Sequence, residues 1–241
     1  MKLVTNNIYC MDCLEGLKSI PDNSVDLIIT SPPYEDVNGA GYSANSKDIL
    51  FLKIYSDFMD NIFKEMYRVL KQNGQLFFNV KHKTHNKKLS SFHWLEFLDG
   101  FKLFDLKSYI IWKYAGSFDS TKSRFHLDYE VIYHLSKGDR ININLDCDIH
   151  DFLSSIWYLP HNIKNRLHPT QMPENVVERI LKSVGKKGDL VLDIFSGSGT
   201  TAKVTKDFNF NYLGFELNPN NYKIAIERLK QRENINEVGR R

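Results

Sequence analysis

The stretch Leu190-Val191-Leu192-Asp193-Ile194-Phe195-Ser196-Gly197-Ser198-Gly199-Thr200-Thr201 decides the fold. An apolar run of strand length stops at an acidic residue, turns through two glycines and opens into a helix. In open α/β sheets that junction is where ligands bind. Glycine lets the backbone come close to a ligand, and a helix N-terminus offers free N–H groups and a positive dipole end. The hydroxyls of Thr200 and Thr201 add donors suited to a carboxylate. No Lys-Ser/Thr follows the second glycine, so this is not a phosphate loop, and the spacing is not that of a dinucleotide fingerprint. About twenty residues on, Leu213-Gly214-Phe215-Glu216-Leu217-Asn218-Pro219 ends a second strand at Glu216, placed to accept both hydroxyls of a ribose. The alternatives are a plain strand-to-helix turn and a helix N-terminal charge at Glu216. Together the two segments point to a nucleoside ligand with an anionic or zwitterionic tail.

Outward from this segment the chain alternates strands and helices. Strands are expected at Ile8–Cys10, Val25–Thr30, Gln75–Val80, Leu103–Lys113, Glu130–Leu135 and Tyr212–Phe215. Helices are expected over Leu14–Ile20, about Phe51–Lys71 with Asn73-Gly74 as its stop, Leu89–Asp99, Pro173–Val184 with proline in its first turn, and Asn220 to about Arg232. Such alternation specifies a doubly wound, mostly parallel α/β sheet, with the Leu103–Lys113 and Glu130–Leu135 pair as an antiparallel edge. Glu35–Lys47 reads as a mobile polar loop, and residues 138–167 have weak periodicity.

The chemistry concentrates at Thr30-Ser31-Pro32-Pro33-Tyr34, on the carboxyl end of the Val25–Thr30 strand. Two prolines fix φ and hold their carbonyl oxygens in a rigid geometry. Ser31 adds an oxygen acceptor and Tyr34 a ring of base-stacking size. A bare Pro-Pro is a strand terminator; a terminator needs neither the flanking acceptor nor the aromatic.

With 42% hydrophobic residues among 241, the chain has enough material for one packed α/β domain with a small appendage. A net charge of +3 permits a polyanionic partner without demanding one. Lys81, Lys83, Lys87 and Lys88 cluster around His82 and His85, as a solvated loop or as phosphate contacts. Cys10, Cys13 and Cys147 are too few for a disulfide framework, and Cys10-x-x-Cys13 has no second pair to complete a zinc site, so ordinary thiols and no metal are expected. Met1–Asn7 lacks an apolar signal core, and no run approaches a membrane span, so a soluble, cytoplasmic protein is expected.

These residues resemble the amino-methyltransferases of DNA, whose catalytic motif is (Asp/Asn/Ser)-Pro-Pro-(Tyr/Phe/Trp). Asp12-Cys13-Leu14 through Tyr34 is similar to the family's N-terminal block, and Leu70-Lys71-Gln72-Asn73-Gly74-Gln75-Leu76 to its helix-to-strand corner. Ile110-Ile111-Trp112-Lys113 and Tyr129-Glu130-Val131-Ile132 resemble its late strands, and His168-Pro169-Thr170-Gln171-Met172-Pro173 the segment leading to its cofactor half. The catalytic motif precedes the cofactor motif, the order of the circularly permuted β class.

The resemblance implies a class I, Rossmann-like sheet of seven strands with S-adenosylmethionine as cofactor. It implies that Asp12 meets the adenine amino group and Glu216 the ribose. The cofactor's methionine part would lie on Asp193, Phe195, Ser196, Gly197, Ser198, Gly199, Thr200 and Thr201, with Thr30, Gln171 and Leu217 beside it. Asp12 also fits a plain helix N-cap. Ser31, Pro32, Pro33 and Tyr34 would hold the target base, and serine at position 31 is the form typical of N4-cytosine enzymes. The chain departs from the family at Met11, where glycine is frequent, and after Trp112, where Pro-Asn is common. The second departure touches a wall of the base pocket.

Double-stranded DNA is then the substrate, with the target base rotated out of the helix. Lys81, Lys83, Lys87, Lys88, Lys113, Arg124, Lys164 and Arg166 are candidate DNA contacts, and residues 114–167 the target-recognition region. A restriction endonuclease acting on the same site and a second copy of the chain are candidate protein partners. Rival readings are an N6-adenine DNA methyltransferase, an RNA or protein-amide methyltransferase, and a non-catalytic nucleic-acid-binding module.

Overall fold

A computed structural model describes residues 3–33, 49–85, 88–90, 94–114, 125–141, 143–144, 153–160, 167 and 171–230. In chain order the elements are β1 (Asn7–Cys10), α1 (Cys13–Lys18), β2 (Val25–Thr30), α2 (Ile49–Val69), β3 (Leu70–Val80), β4 (Lys83–His85), β5 (Lys88–Ser90), α3 (Trp94–Phe101), β6 (Asp105–Lys113), β7 (Tyr129–Ser136), β8 (Ile156–Tyr158), α4 (Glu174–Val184), β9 (Leu190–Asp193), α5 (Thr200–Asp207), β10 (Asn211–Glu216) and α6 (Pro219–Lys230).

Eight strands form one sheet in the order β1-β10-β9-β2-β3-β7-β6-β8, and β4 pairs with β5 in a separate small ribbon. All neighbours in the large sheet run parallel except those of β7, which is antiparallel to both β3 and β6. Side chains alternate between two cores. Ile28, Leu76, Phe78 and Leu192 pack beneath α1, α2 and α3, and Leu27, Ile29, Phe77 and Val191 beneath α4. Burial on both faces is why these strands read as unbroken apolar runs.

The long helix α2 forms because Tyr55, Met59, Ile62, Phe63, Met66 and Val69 recur at helical spacing and are all buried. Phe63 meets Phe78 of β3 edge-on at 5.1 Å. Asn73 then takes φ +63, the left-handed conformation that asparagine tolerates, and turns the chain into the straight part of β3. Helix α4 buries Val176, Val177, Ile180, Leu181 and Val184 on its sheet-facing stripe.

Three expectations need correction. Among the described residues the sheet has eight strands rather than seven, and its antiparallel strand β7 lies inside it, with β6 and then β8 beyond. Strand β8 is three residues long and buries only Trp157, too little for periodicity to reveal. The helix expected over Leu89–Asp99 is α3, because Lys88–Ser90 pairs with Lys83–His85. Pro173 is the N-cap of α4 and not its first helical residue.

What positions the site is the middle of the sheet. From β9 the chain winds through α5 to β10 on one side, and from β2 through α2 to β3 on the other. The winding reverses between β2 and β9, which pair at Leu27↔Val191 and Ile28↔Leu192. Such a reversal opens a crevice outside the carboxyl ends of the two strands.

Candidate functional site

Thr30 ends β2 and Asp193 ends β9, so both lie at the mouth of that crevice. Thr30 Oγ1 donates to Asp193 Oδ1 at 2.8 Å, in a bond between buried groups 163 residues apart. Ser31-Pro32-Pro33 and the glycine turn therefore leave the sheet side by side. Asp193 Oδ1 also accepts from Phe195 N at 3.1 Å, and the Thr201 side chain bonds to the same carboxylate. Burial pushes this carboxyl up to about 6, and the nearby Glu216 charge adds to the rise, while Thr201, Thr30 and the Phe195 N–H oppose it.

The turn is strongly shaped. Gly197 and Gly199 have φ +51 and +75, in the left-handed region that glycine enters without a Cβ clash. A Cβ at Gly197 would meet nothing within 4 Å, so that lip is open, whereas one at Gly199 would meet Ala225 Cβ at 2.9 Å. Ser196 Oγ donates back to Asp193 O at 3.1 Å. Gly199 is the N-cap of α5 and supplies no side-chain cap.

Glu216 closes one end of this cradle. Its Oε2 accepts from Gly197 N at 2.7 Å and its Oε1 from Asn218 N at 2.8 Å, which pins the carboxylate against the turn. Leu217 beside it is 57% exposed, an apolar side chain at the rim. Strand β1 brings Asp12 to the same end, because Cys10 registers with Glu216 and Met11 N donates to Glu216 O at 3.1 Å. Asp12 is the N-cap of α1; its Oδ1 accepts from Leu14 N at 2.9 Å and Glu15 N at 3.2 Å. Gln171 is buried, and its Oε1 accepts from Leu167 N at 2.9 Å, so the side chain holds its own segment in place.

At the end of β2, Pro32 is buried and Ser31 and Pro33 are half-buried. Tyr55 of α2 donates its hydroxyl to Pro33 O at 3.1 Å, fixing the second proline from below. Tyr34, the loop Glu35–Lys47, Lys87, Arg124, Lys164, Arg166, His168–Thr170 and Cys147 lie outside the described residues. Lys83 and Lys88 lie on the two strands of the β4–β5 ribbon, and their side chains are likewise outside the description. Lys81 and Lys113 are exposed, 3.7 Å from Glu130 Oε1 and 3.4 Å from Asp128 Oδ2 respectively.

Two groups of residues here were missed by sequence reasoning. Asn79 of β3 and Glu130 of β7 are both buried, and Asn79 Nδ2 donates to Glu130 Oε2 at 2.8 Å. Thr30 registers with Phe78, so Ser31 and Asn79 follow side by side along the sheet. Polar residues inside the apolar runs Leu76–Val80 and Tyr129–Ile132 were the available signal, since burying such groups costs free energy that an ordinary core position does not incur. The other group is Arg228 and Glu174, which lie behind the glycine turn and have no sequence pattern to mark them. Cys13 is a buried thiol, pushed up to about 12 by burial and by Asp12. No helix among the described residues is long and apolar enough to cross a membrane.

Comparison with known proteins fits this geometry. A family model described as DNA methylase (N6_N4_Mtase) matches residues 25–227. The DNA adenine methyltransferase YhdJ of Escherichia coli (strain K12) is 31% identical over 250 residues, covering 90% of this chain and 80% of that protein. Solved structures share the fold, among them the following two. The PvuII DNA methyltransferase, described as cytosine-N4-specific, superposes with a TM-score of 0.79 at 20% identity, covering 94% of this chain and 87% of that one. A complex of M1.HpyAVI with SAM gives a TM-score of 0.67 at 22% identity, over 92% of this chain and 98% of that one. With its switch-point crevice and a family match across most of its length, this chain belongs to the DNA methylase family.

Proposed function

We propose that the protein transfers a methyl group from S-adenosylmethionine to the exocyclic N4 amine of cytosine in double-stranded DNA, as a β-class, permuted enzyme. The observation that carries this reading is the Thr30–Asp193 hydrogen bond, which joins the Ser31-Pro32-Pro33 corner to the glycine turn. The donor set suits the cofactor. Carboxylates at Asp12 and Glu216 match an amine and a vicinal diol, and the uncapped start of α5 matches an amino-acid carboxylate. Leu217 offers an apolar surface for the adenine ring. When bound, S-adenosylmethionine supplies an electrophilic sulfonium methyl group.

The chain's own residues do the rest. Ser31 Oγ and Pro32 O accept hydrogen bonds from the target amine, which aims the nitrogen lone pair and offsets charge developing there. Tyr34 stacks on the flipped base. Asn79 and Glu130 form the polar wall of the base pocket, with the Tyr114 hydroxyl close enough to feel the Glu130 charge. No side chain becomes covalently attached to the base, because an exocyclic amine needs no enzyme nucleophile and loses its proton after methylation. Lys81, Lys83, Lys87, Lys88, Lys113, Arg124, Lys164 and Arg166 contact DNA, mostly at phosphates, and residues 114–167 read the target. A restriction endonuclease with the same target and a second copy of the chain are the proposed protein partners, in a bacterial cytoplasm.

Methylation of adenine N6 is the second reading, favoured by the 31% identity to an adenine enzyme; serine at position 31 supports cytosine. The deciding experiment incubates the protein with labelled cofactor and unmethylated, mixed-sequence duplex DNA, then identifies the product nucleoside by mass. N4-methylcytosine is expected. N6-methyladenine would replace the first reading with the second, and transfer only to RNA or peptide would overturn the substrate class. Ser31→Ala is expected to lower turnover far more than cofactor affinity.

A further inference from the structure

Against the glycine turn lies the guanidinium of Arg228 from α6. It is buried, and Nη1 donates to Ser198 O at 3.2 Å and Thr200 Oγ1 at 2.9 Å, with Ser198 Oγ at 3.5 Å. Nη2 donates to Glu174 Oε1 at 2.7 Å, and the other Glu174 oxygen takes Lys203 Nζ at 2.6 Å. These two cations hold the Glu174 carboxyl below its ordinary range against the opposing effect of burial. One helical turn earlier, Ala225 is the side chain that a Cβ at Gly199 would strike at 2.9 Å. Helix α6 is thus a backing plate for the turn, and Arg228 is its polar anchor.

A buried arginine paired with a half-buried glutamate is a poor source of stability, since well-packed apolar residues do as well without desolvating charge. What an apolar residue cannot do is hold one carbonyl and one hydroxyl of a turn between two left-handed glycines. Ser198 lies between Gly197 and Gly199, two residues that have no Cβ to restrict the backbone on either side of it. We infer that Arg228 is a positioning residue for the cofactor: by fixing Ser198 and Thr200, it presets the turn for the ligand's amino-acid end. The nucleoside end is held by Asp12, which lies off the turn, and by Glu216, whose Oε2 accepts from Gly197 N at the turn's edge, so this end feels the loss of Arg228 less. The inference rests on the proposed cofactor and on which end of it meets the turn.

Calorimetric titration of the full-length protein with two probes tests this. S-adenosylhomocysteine has the amino-acid end, and 5′-methylthioadenosine carries the same nucleoside without it. Arg228→Met is expected to weaken S-adenosylhomocysteine by about tenfold or more and 5′-methylthioadenosine by less than about threefold. Arg228→Lys keeps the charge but cannot bridge Glu174 and the turn together, and falls between. Glu174→Gln loosens the hold on Arg228 Nη2 without altering the turn itself, and is expected to show the same selectivity at smaller size should Arg228→Met fail to fold. Equal loss for both probes, or undiminished S-adenosylhomocysteine binding, overturns the inference while leaving the proposed function standing. A wild-type protein that binds neither probe overturns both.

Discussion

Thr30→Val removes one hydroxyl and almost no volume, so it isolates the hydrogen bond that joins the two corners of the crevice. In the folded protein that hydroxyl donates at 2.8 Å to Asp193 Oδ1, whose other donors are Phe195 N at 3.1 Å and the Thr201 side chain. A hydrogen bond to a charged group contributes about 1.5–3 kcal/mol, which is a factor of about 10–150. Expressed wholly as stability, that loss lowers the unfolding midpoint by about 3–12 °C in a chain of this size. Expressed wholly in the reaction, it slows single-turnover methyl transfer by about one to two orders of magnitude. The measurement is therefore paired: thermal unfolding of the apo protein, and single-turnover transfer to its DNA substrate at saturating cofactor. Thr30→Ser keeps a hydroxyl and is expected to stay near wild type. If Thr30→Val matches wild type in both the midpoint and the rate, the two corners are not held together by this bond, and the reasoning about the crevice is refuted.

Asp193 makes the protein pH-sensitive in a definite direction. Burial raises its carboxyl to about 6 in the fold from an ordinary 3.8, so the folded state binds the proton more tightly than the unfolded chain. Its contribution to stability is largest below the ordinary value and declines as pH rises towards about 6, and Asp193→Asn is expected to flatten that slope in denaturant titrations. Losing the Thr30 donor raises this carboxyl further, so the acid limb of cofactor binding is expected to shift to higher pH in Thr30→Val; an unmoved limb would assign the titration to another group. Gly199→Ala combines φ +75 with a Cβ 2.9 Å from Ala225 Cβ, and is expected to cost about 1–3 kcal/mol of stability together with cofactor affinity; retention of both would show that the turn tolerates a side chain. Lys113→Ala is expected to weaken DNA binding uniformly across sequences and to reduce the salt slope by about 1, whereas a sequence-selective loss would make Lys113 a base reader.

The local structure of the chain is legible without coordinates, because it is encoded at short range. Apolar runs bounded by turn residues locate Val25–Thr30 to the residue, and helical spacing locates α2 to within two residues at each end. The glycine turn is visible because left-handed backbone demands that residue type at Gly197 and Gly199. The ribbon of Lys83–His85 with Lys88–Ser90 and the edge strand Ile156–Tyr158 are not legible, since three residues carry too little pattern to register.

Sheet order and long-range partners belong to the tertiary structure alone. That β2 and β9 are neighbours, so that Thr30 reaches Asp193, follows from how eight strands sort themselves over two cores. The same holds for Asp12, whose Oδ1 caps α1 while β1 sets it beside Glu216, and for Arg228, which meets Ser198 and Glu174 only after α4 and α6 have packed around α5. Residue spacing dictates which face of an element is apolar, whereas distant elements become neighbours only through the burial of those faces against one another. The sequence alone therefore marked the proline corner and the glycine turn, and packing decided that they meet.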